Sequence, residues 1–182
     1  MKSTANNSVR ISAGVWRSRL LRFPDAEGLR PTPDRVRQTL FNWLGQDLTG
    51  LRCLDLFAGT GVLGFESLSR GAREVVLVEN KREVVAALKA NQQALQADNA
   101  HIVQADALQF LASHQLPFDV IFCDPPYHQA WMEKCLPVLA AHLSPEGLLY
   151  AEAEVALQDT AQFELIKQGR AGHVFYHLLK PR

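Results

Sequence analysis

The stretch LRCLDLFAGTGVLG, residues 51–64, decides the fold of this chain. Its first half is an apolar run that predicts a buried strand over Leu51–Phe57. The glycines that follow, Gly59, Gly61 and Gly64, have the spacing G-x-G-x-x-G. Glycines at this spacing permit a tight turn, let the backbone approach a ligand closely, and open a helix. The same spacing also occurs in strand–helix turns that need glycine only for their backbone geometry. The surrounding sequence must therefore decide between a ligand-binding turn and a purely structural one.

Alternating strands and helices continue on the carboxyl side of this stretch. Further strands are predicted at Glu74–Glu79, His101–Gln104, Phe118–Cys123 and Gly147–Ala151. The helices between them are predicted at Val62–Ser69, Arg82–Ala97, Ala107–Ser113 and Gln129–His142. The strands are nearly continuous apolar runs, as in sheets covered on both faces. The alternation predicts a doubly wound, mostly parallel, Rossmann-like α/β sheet. Two final strand-like runs predict a C-terminal antiparallel hairpin that completes seven strands, Phe163–Lys167 and His173–Lys180.

The first 50 residues have a different pattern and predict a small basic extension ahead of the main domain over residues 51–182. Residues 1–8 are polar and are expected to be disordered. Residues 9–22 alternate and carry β-branched and aromatic side chains, which predicts a strand or a small hairpin around Gly14.

The second half of this extension predicts one helix, from about Pro33 to Leu44. Thr32 is expected to cap it, because a hydroxyl there can accept an N–H of the first turn, and Pro33 suits that turn. Gly45 is expected to stop the helix.

The charges balance over the whole chain but not along it. With 19 basic and 19 acidic residues, the formal net charge is zero. Residues 1–37 hold eight basic and three acidic residues, a balance of +5, which leaves −5 for the remainder. A divided charge distribution is typical of chains that contact nucleic acid, although a solvated N-terminal arm has the same composition.

Several classes of protein do not fit the composition. No window of about 18 apolar residues predicts a membrane span, and the polar N-terminus does not resemble a secretory signal. The three cysteines form no C-x-x-C pair, and the six histidines lack metal-ligand spacing, so no metal is expected. The expected compartment is a reducing cytoplasm.

Acidic residues stand at the carboxyl ends of the predicted strands, where ligands bind in open α/β sheets. Glu79 ends a strand 24 residues after Asp55, where a carboxylate can accept both hydroxyls of a ribose. A dinucleotide would fit, but the cationic amino and sulfonium groups of S-adenosylmethionine favour an acid such as Asp55. Asp106 can contact an adenine amino group, cap the helix that begins at Ala107, or do both. The predicted cofactor-binding residues are Asp55, Phe57, Gly59, Thr60, Gly61, Glu79, Asn80, Asp106, Ala107 and Asp124.

The segment Asp124-Pro125-Pro126-Tyr127 follows the fourth strand of the alternating region. Its two prolines stiffen the loop and remove two N–H donors, which leaves carbonyl acceptors beside one carboxylate. Such a set suits an exocyclic amine: Asp124 and the Pro125 carbonyl each accept one N–H, and Tyr127 stacks on the base, worth about 1–3 kcal/mol. The predicted catalytic residues are Asp124, Pro125 and Tyr127, and Pro126 and Tyr127 are expected to contact the substrate.

With these motifs the chain resembles the S-adenosylmethionine-dependent amino-methyltransferases that carry the D-P-P-Y signature. Two N-terminal segments, VRISAGVWR at 9–17 and RPTPDRVRQTLFNWL at 30–44, are similar to the bacterial 16S ribosomal RNA guanine-N2 methyltransferases that modify guanine 966. The resemblance covers about residues 9–180, with Ser18 and Gln38 where Gly and Glu are expected. D-P-P-Y is shared with DNA adenine methylases, so it specifies the chemistry rather than the substrate.

The resemblance implies a monomeric enzyme that transfers a methyl group from S-adenosylmethionine to N2 of a guanine in 16S ribosomal RNA. The RNA partner would be the small ribosomal subunit or its assembly intermediate, and the guanine would leave its stack to reach Tyr127. The N-terminal strands and the segment 30–37 would cover the cofactor and meet RNA. The arginines implied to bind RNA are Arg10, Arg17, Arg19, Arg22, Arg30 and Arg35. Alternatives are adenine-N6 methylation of DNA or RNA, an NAD-dependent oxidoreductase, and an RNA-binding module with a decayed methylase core.

Overall fold

The computed structural model describes residues 7–182, so most of the segment expected to be disordered, residues 1–6, lies outside the described residues. Nine strands run over Asn7–Arg10 (β1), Leu20–Phe23 (β2), Arg52–Asp55 (β3), Glu74–Glu79 (β4), Ala100–Gln104 (β5), Phe118–Cys123 (β6), Leu143–Ala153 (β7), Phe163–Ala171 (β8) and Val174–Pro181 (β9). Five α-helices run over Asp34–Leu44 (α1), Val62–Ser69 (α2), Arg82–Leu95 (α3), Ala107–Ser113 (α4) and Trp131–Leu139 (α5). Asn7 and Ser8 belong to β1, so the expected disorder is wrong for these two residues.

The last seven strands form one sheet in the order β5-β4-β3-β6-β7-β9-β8. The first five of these are parallel, and β9 runs antiparallel to both β7 and β8. The predicted seven-stranded α/β sheet with a C-terminal hairpin is confirmed. Because β3 has β4 on one side and β6 on the other, the chain reverses direction across the sheet there. Such a reversal leaves a crevice at the carboxyl ends of the two central strands.

Several element boundaries differ from the sequence-based expectation, among them those of α1, α5, β7 and β8. Helix α1 begins at Asp34 with Pro33 at the N-cap and no side-chain cap, so the expected capping by Thr32 is wrong. Helix α5 begins at Trp131 rather than Gln129, because Ala130 has φ +52°, outside the helical region. Strand β8 continues to Ala171, since its pairing with β9 extends through most of the residues expected to form the turn.

The N-terminal extension packs on the same apolar core as the sheet. Strands β1 and β2 pair antiparallel, and buried side chains from both, with Phe41 of α1, join the cluster that contains Cys53 and Phe65. Gly14 lies against helix α2: its φ is +84°, and a Cβ there would stand 1.8 Å from the Ser69 carbonyl oxygen. The predicted hairpin around Gly14 is therefore present, with glycine required by a close approach. The division into 1–50 and 51–182 stays a prediction.

A buried ionic cluster, here called the Glu66 anchor, joins the extension to α2. The Glu66 carboxylate pairs with Arg37 at 3.2 Å and Arg70 at 3.1 Å. It also accepts the backbone N–H groups of Ser12 and Ala13, each at 3.0 Å. Arg37 is fully buried, so this end of the segment expected to meet RNA points into the protein instead.

Candidate active site

The glycine-rich turn between β3 and α2 uses its glycines for geometry. Gly61 is the N-cap of α2 with φ +78°, and a Cβ there would stand 2.6 Å from Leu88 Cδ2. Gly64 lies where helix meets strand, and a Cβ would stand 2.8 Å from Leu77 Cδ2. Gly59 has φ +52°. The pattern therefore sets a tight turn and close helix–sheet packing at the crevice, as the spacing predicts.

Glu79, at the end of β4, holds this turn in place. Its Oε2 accepts the Gly59 N–H at 3.0 Å, and its Oε1 accepts the N–H groups of Asn80 and Lys81, each at 3.0 Å. A carboxylate offers about four acceptor positions, so a hydroxyl can still be accepted. Thr60 is buried in the turn, and Phe57 packs edge-on against Trp131 with ring centroids 5.4 Å apart.

Asp55 ends β3 and is buried beneath the turn. Its Oδ2 accepts the Gly64 N–H at 3.0 Å. Burial, with a smaller contribution from the charge of Glu79, raises the pKa of Asp55 to about 8. Removal from water disfavours an ionised carboxyl, and one N–H donor does not compensate for it. A positive charge placed here would lower that pKa again.

Asp106 stands after β5 and caps α4. Its Oδ1 accepts the N–H groups of Leu108 at 2.9 Å and Gln109 at 3.1 Å. The capping alternative is therefore realised, and because both bonds use Oδ1, the second carboxylate oxygen can accept another donor. Ala107, the first residue of α4, is buried directly behind it.

The segment Asp124–Tyr127 leaves β6 at the same edge of the sheet. Asp124 is half-buried, Pro125 is buried, and Pro126 is exposed. The Tyr127 side chain is 44% exposed, so its ring is available to a ligand from solvent. Burial raises the pKa of Tyr127 to about 12, with further contributions from nearby acids, first Asp124, so the phenol stays neutral.

Glu152, near the end of β7, is a member of this site that the sequence analysis did not identify. Parallel pairing of Cys123 with Ala151 brings the next residues of both strands, Asp124 and Glu152, side by side. The Tyr150 hydroxyl donates to Glu152 Oε1 at 2.7 Å, on the side of β7 that neighbours Asp124. The position of Glu152 after an apolar strand core is the signal that could have found it, since that rule identified the other acids.

Three carboxyl groups thus lie around the crevice, here called the acidic cluster: Asp55, Asp124 and Glu152. Burial first, and then the charge of Glu152, raises the pKa of Asp124 well above its ordinary value. Burial also raises the pKa of Glu152. None of the ion pairs formed within residues 7–182 involves any of these three groups. The cluster is therefore suited to a ligand that brings its own positive charge.

The arginines predicted to contact RNA are exposed but not equivalent. Arg10 Nη1 donates to the Ser18 carbonyl at 2.7 Å, and Arg19 Nη2 donates to the Ala94 carbonyl at 2.9 Å, which uses part of each guanidinium. The other predicted RNA-contacting arginines are exposed on the same extension, Arg17, Arg22, Arg30 and Arg35.

Metal-binding groups, membrane-spanning helices and disulfides are absent from the part of the chain that the structure describes. Over residues 7–182 there is no group of three or more His, Cys, Asp or Glu that could hold a metal ion. In the same range no helix has the length and apolar character to cross a membrane. The three cysteines are buried and unpaired with one another as disulfides.

Comparison with known proteins gives consistent matches over nearly the whole chain. A family model described as "Conserved hypothetical protein 95" matches residues 9–180. "Ribosomal RNA small subunit methyltransferase D" of Escherichia coli K12 is 42% identical over 180 residues, covering 96% of this chain and 91% of that protein. The protein of the same name from Haemophilus influenzae is 42% identical over 182 residues, covering 96% and 94%.

Solved structures agree with the fold. The structure of yhhF from Escherichia coli superposes with a TM-score of 0.87 at 40% identity, covering 97% of this chain and 99% of that one. A 16S rRNA N2 G1207 methyltransferase from T. thermophilus superposes with a TM-score of 0.74 at 23% identity, covering 97% of this chain and 50% of that one. At that identity the second likeness concerns the fold alone.

The strand order, the glycine-rich turn and the acids at the carboxyl edge define a class, the Rossmann-like methyltransferases. Within this class the match over residues 9–180 and the 42% identical relatives identify a particular group. The chain belongs to the family described as "Conserved hypothetical protein 95".

Proposed function

We propose that the protein transfers a methyl group from S-adenosylmethionine to the exocyclic N2 of a guanine in 16S ribosomal RNA, guanine 966. The observation that carries this proposal is the acidic cluster, whose buried carboxyl groups lack a cationic partner within residues 7–182 and face the crevice where ligands bind in this fold. When bound, S-adenosylmethionine supplies an activated methyl group on a sulfonium cation.

The residues present fit this cofactor. Asp55 lies buried beneath the glycine-rich turn, where a positive charge would offset the cost of burying its carboxylate. Glu79 retains acceptor capacity for ribose hydroxyls, and the second oxygen of Asp106 can accept from an adenine amino group. Phe57, Thr60, Gly61, Asn80 and Ala107 complete the proposed cofactor site.

The target amine is proposed to bind at Asp124–Tyr127. The Asp124 carboxyl and the Pro125 carbonyl accept its two N–H groups, while the exposed Tyr127 ring stacks on the base. This alignment brings N2 in line with the methyl group, and alignment supplies much of the rate acceleration in such a transfer.

The RNA part of the proposal rests on the relatives and on the extension. Both 42% identical relatives are named as small-subunit ribosomal RNA methyltransferases. The extension presents exposed arginines that can contact phosphates, and a base must leave its stack to reach Tyr127. We propose the small subunit, or its assembly intermediate, as the substrate, with the reaction taking place in the cytoplasm. The relatives and structures described above give no support to the oxidoreductase alternative.

The experiment is a labelled-methyl assay on small subunits from cells that lack the enzyme, followed by mass spectrometry of the nucleosides. We expect N2-methylguanosine, and an Asp124→Ala variant that still binds S-adenosylhomocysteine should lose about 100-fold or more in turnover. Asp98→Ala, at an exposed site, is the matched control and should match the wild type. Incorporation as N6-methyladenosine, or full activity of Asp124→Ala, would contradict the proposal.

A further inference from the structure

Glu152 is buried at the site, and the reaction as described gives it no part. Its side chain is 7% exposed, although glutamate is among the residues least often buried. The Tyr150 hydroxyl donates to it at 2.7 Å from the same face of β7. Its neighbour across the β6–β7 pair is Asp124, since the two residues directly follow the paired Cys123 and Ala151. A buried polar chain thus runs from Tyr150 through Glu152 to the carboxyl that is proposed to hold the amine.

We propose that Glu152 is a positioning residue for the methyl transfer: it orients the Asp124 carboxyl toward the amine and makes Asp124 the acceptor of the proton that the amine loses. This inference rests on the proposed function of Asp124. Two buried carboxyl groups that lie side by side disfavour each other's ionisation, so the protonation state of one depends on that of the other.

Methylation of an exocyclic amine releases one proton, so the reaction needs a proton acceptor. N2 forms its bond to the methyl carbon as the carbon–sulfur bond breaks, and the electron pair of that bond stays on sulfur. The proton on N2 moves to Asp124 and from there to solvent. Glu152 makes Asp124 a stronger base for this step, because a second carboxylate nearby disfavours the ionised form of Asp124.

The surroundings of Asp124 identify Glu152 as the main influence on it. Burial is the largest cause that raises the pKa of Asp124, and the interaction with Glu152 is the next largest. The charge of Asp55, from β3, contributes less. The titratable groups facing this site from its neighbouring elements are Asp55 of β3, Cys123 of β6, Tyr127 of the following loop, Cys135 of α5, and Tyr150 and Glu152 of β7.

The test compares pH profiles of kcat for the wild type, Glu152→Gln and Glu146→Gln. Glu146 lies on the same strand but is exposed and pairs with Lys180, so its variant is the matched control. In Glu152→Gln the pKa of Asp124 should fall, so the acidic limb should move to lower pH by about one unit or more. The plateau should drop about tenfold because the base is weaker, with little change in KM for either substrate.

A merely structural role predicts a different outcome. If Glu152→Gln lowers activity equally at every pH, or does not differ from the wild type, the inference is overturned. Tyr150→Phe is a second variant, in case Glu152→Gln does not fold. It removes the hydroxyl that favours ionised Glu152, so it should shift the limb in the same direction by a smaller amount. An unshifted limb in this variant would also overturn the inference.

A readout without RNA separates this inference from the proposed function. If the wild type methylates no RNA, the proposed function fails, and unfolding free energies measured from pH 4 to 8 still test the carboxyl pair, because Asp55 contributes its own pH dependence to all three proteins. A folded pair that retains protons makes the wild type less stable as pH rises. Glu152→Gln should flatten this dependence while Glu146→Gln should not, and equal slopes in all three proteins would overturn the pairing.

Discussion

Two groups of buried carboxylates differ in what surrounds them. In the Glu66 anchor, one carboxylate is held by Arg37, Arg70 and two backbone N–H groups. In the acidic cluster, Asp55 has one N–H donor, and Asp124 lies beside another acid, Glu152. The first group carries its own compensating charge, and the second does not.

This difference separates a structural site from a binding site. A buried ion pair satisfied within the protein fixes the position of the elements that carry it, here the N-terminal extension against α2. A buried acid without a cation favours its neutral form and gains when a ligand brings positive charge. The pKa of Asp55, raised to about 8, is the clearest expression of the second condition.

The largest expected effect comes from replacing the ionisable carboxyl group of Asp55. Its carboxyl is protonated in the folded protein and ionised in the unfolded chain between pH 4 and 8, so wild-type stability should fall as pH rises through that window. The loss for this group is as much as about 5 kcal/mol. Asp55→Asn should remove it, and urea unfolding at a series of pH values measures the difference.

Asp98→Asn, at an exposed position, controls for the substitution itself and should keep the wild-type dependence. The Asn amide oxygen can still accept the Gly64 N–H, so the turn should stay intact. Equal pH slopes for wild type and Asp55→Asn would show that Asp55 is ionised in the folded protein, and the contrast with Glu66 would be lost.

Neutralising the carboxylate of the Glu66 anchor is expected to destabilise the fold, whereas Asp55→Asn removes a source of instability. Glu66→Gln removes the buried charge partner of the Arg37 guanidinium and leaves it only the exposed carboxylate of Asp34, which should cost about 3 kcal/mol. Urea unfolding at neutral pH measures this loss. Glu164→Gln, on the exposed surface of β8, is the control and should change little. A stable Glu66→Gln protein would mean that apolar packing alone holds the extension in place.

The sequence predicts the architecture well because local patterns determine it. Val62–Ser69, Glu74–Glu79 and Phe118–Cys123 agree with the structure residue for residue, since apolar runs bounded by glycine or charge mark their ends. The burial of Arg37 could not be predicted in this way. It depends on Glu66, 29 residues away, and a basic segment has the same composition whether its charges face solvent or a partner.

The sequence predicted part of the candidate site and missed one of its acids. The acids that follow short, well-bounded strands, Asp55, Glu79, Asp106 and Asp124, lie at one sheet edge as expected. Glu152 was missed because β7 extends beyond its predicted end at Ala151, and because its role comes from a neighbouring strand. Their functional assignments stay predictions.

A smaller effect is expected where the target base stacks. Tyr127→Ala should lower kcat/KM for RNA by about 5- to 150-fold, which corresponds to about 1–3 kcal/mol of stacking. Tyr127→Phe keeps the ring and should stay close to the wild type. Because the side chain is 44% exposed, neither change should alter the melting temperature much. Equal losses in both variants would assign the contribution to the hydroxyl instead of the ring.

The smallest effects are expected on the extension, one arginine at a time. Arg17→Ala and Arg30→Ala should each weaken RNA binding less than about tenfold and reduce its salt dependence by about one counterion. Arg10→Ala should have a weaker effect, because its guanidinium already donates to the Ser18 carbonyl. Filter binding of small subunits at several salt concentrations measures both quantities.

The matched control for these variants is Arg73→Ala, an exposed arginine outside the extension, directly before β4. If Arg73→Ala lowers the salt dependence as much as Arg17→Ala, binding is a general attraction to basic side chains. If only the extension variants respond, the two charge regions have separate tasks. In that case the Glu66 anchor holds an RNA-facing extension in place. The acidic cluster is the separate region that we propose to bind the cationic cofactor.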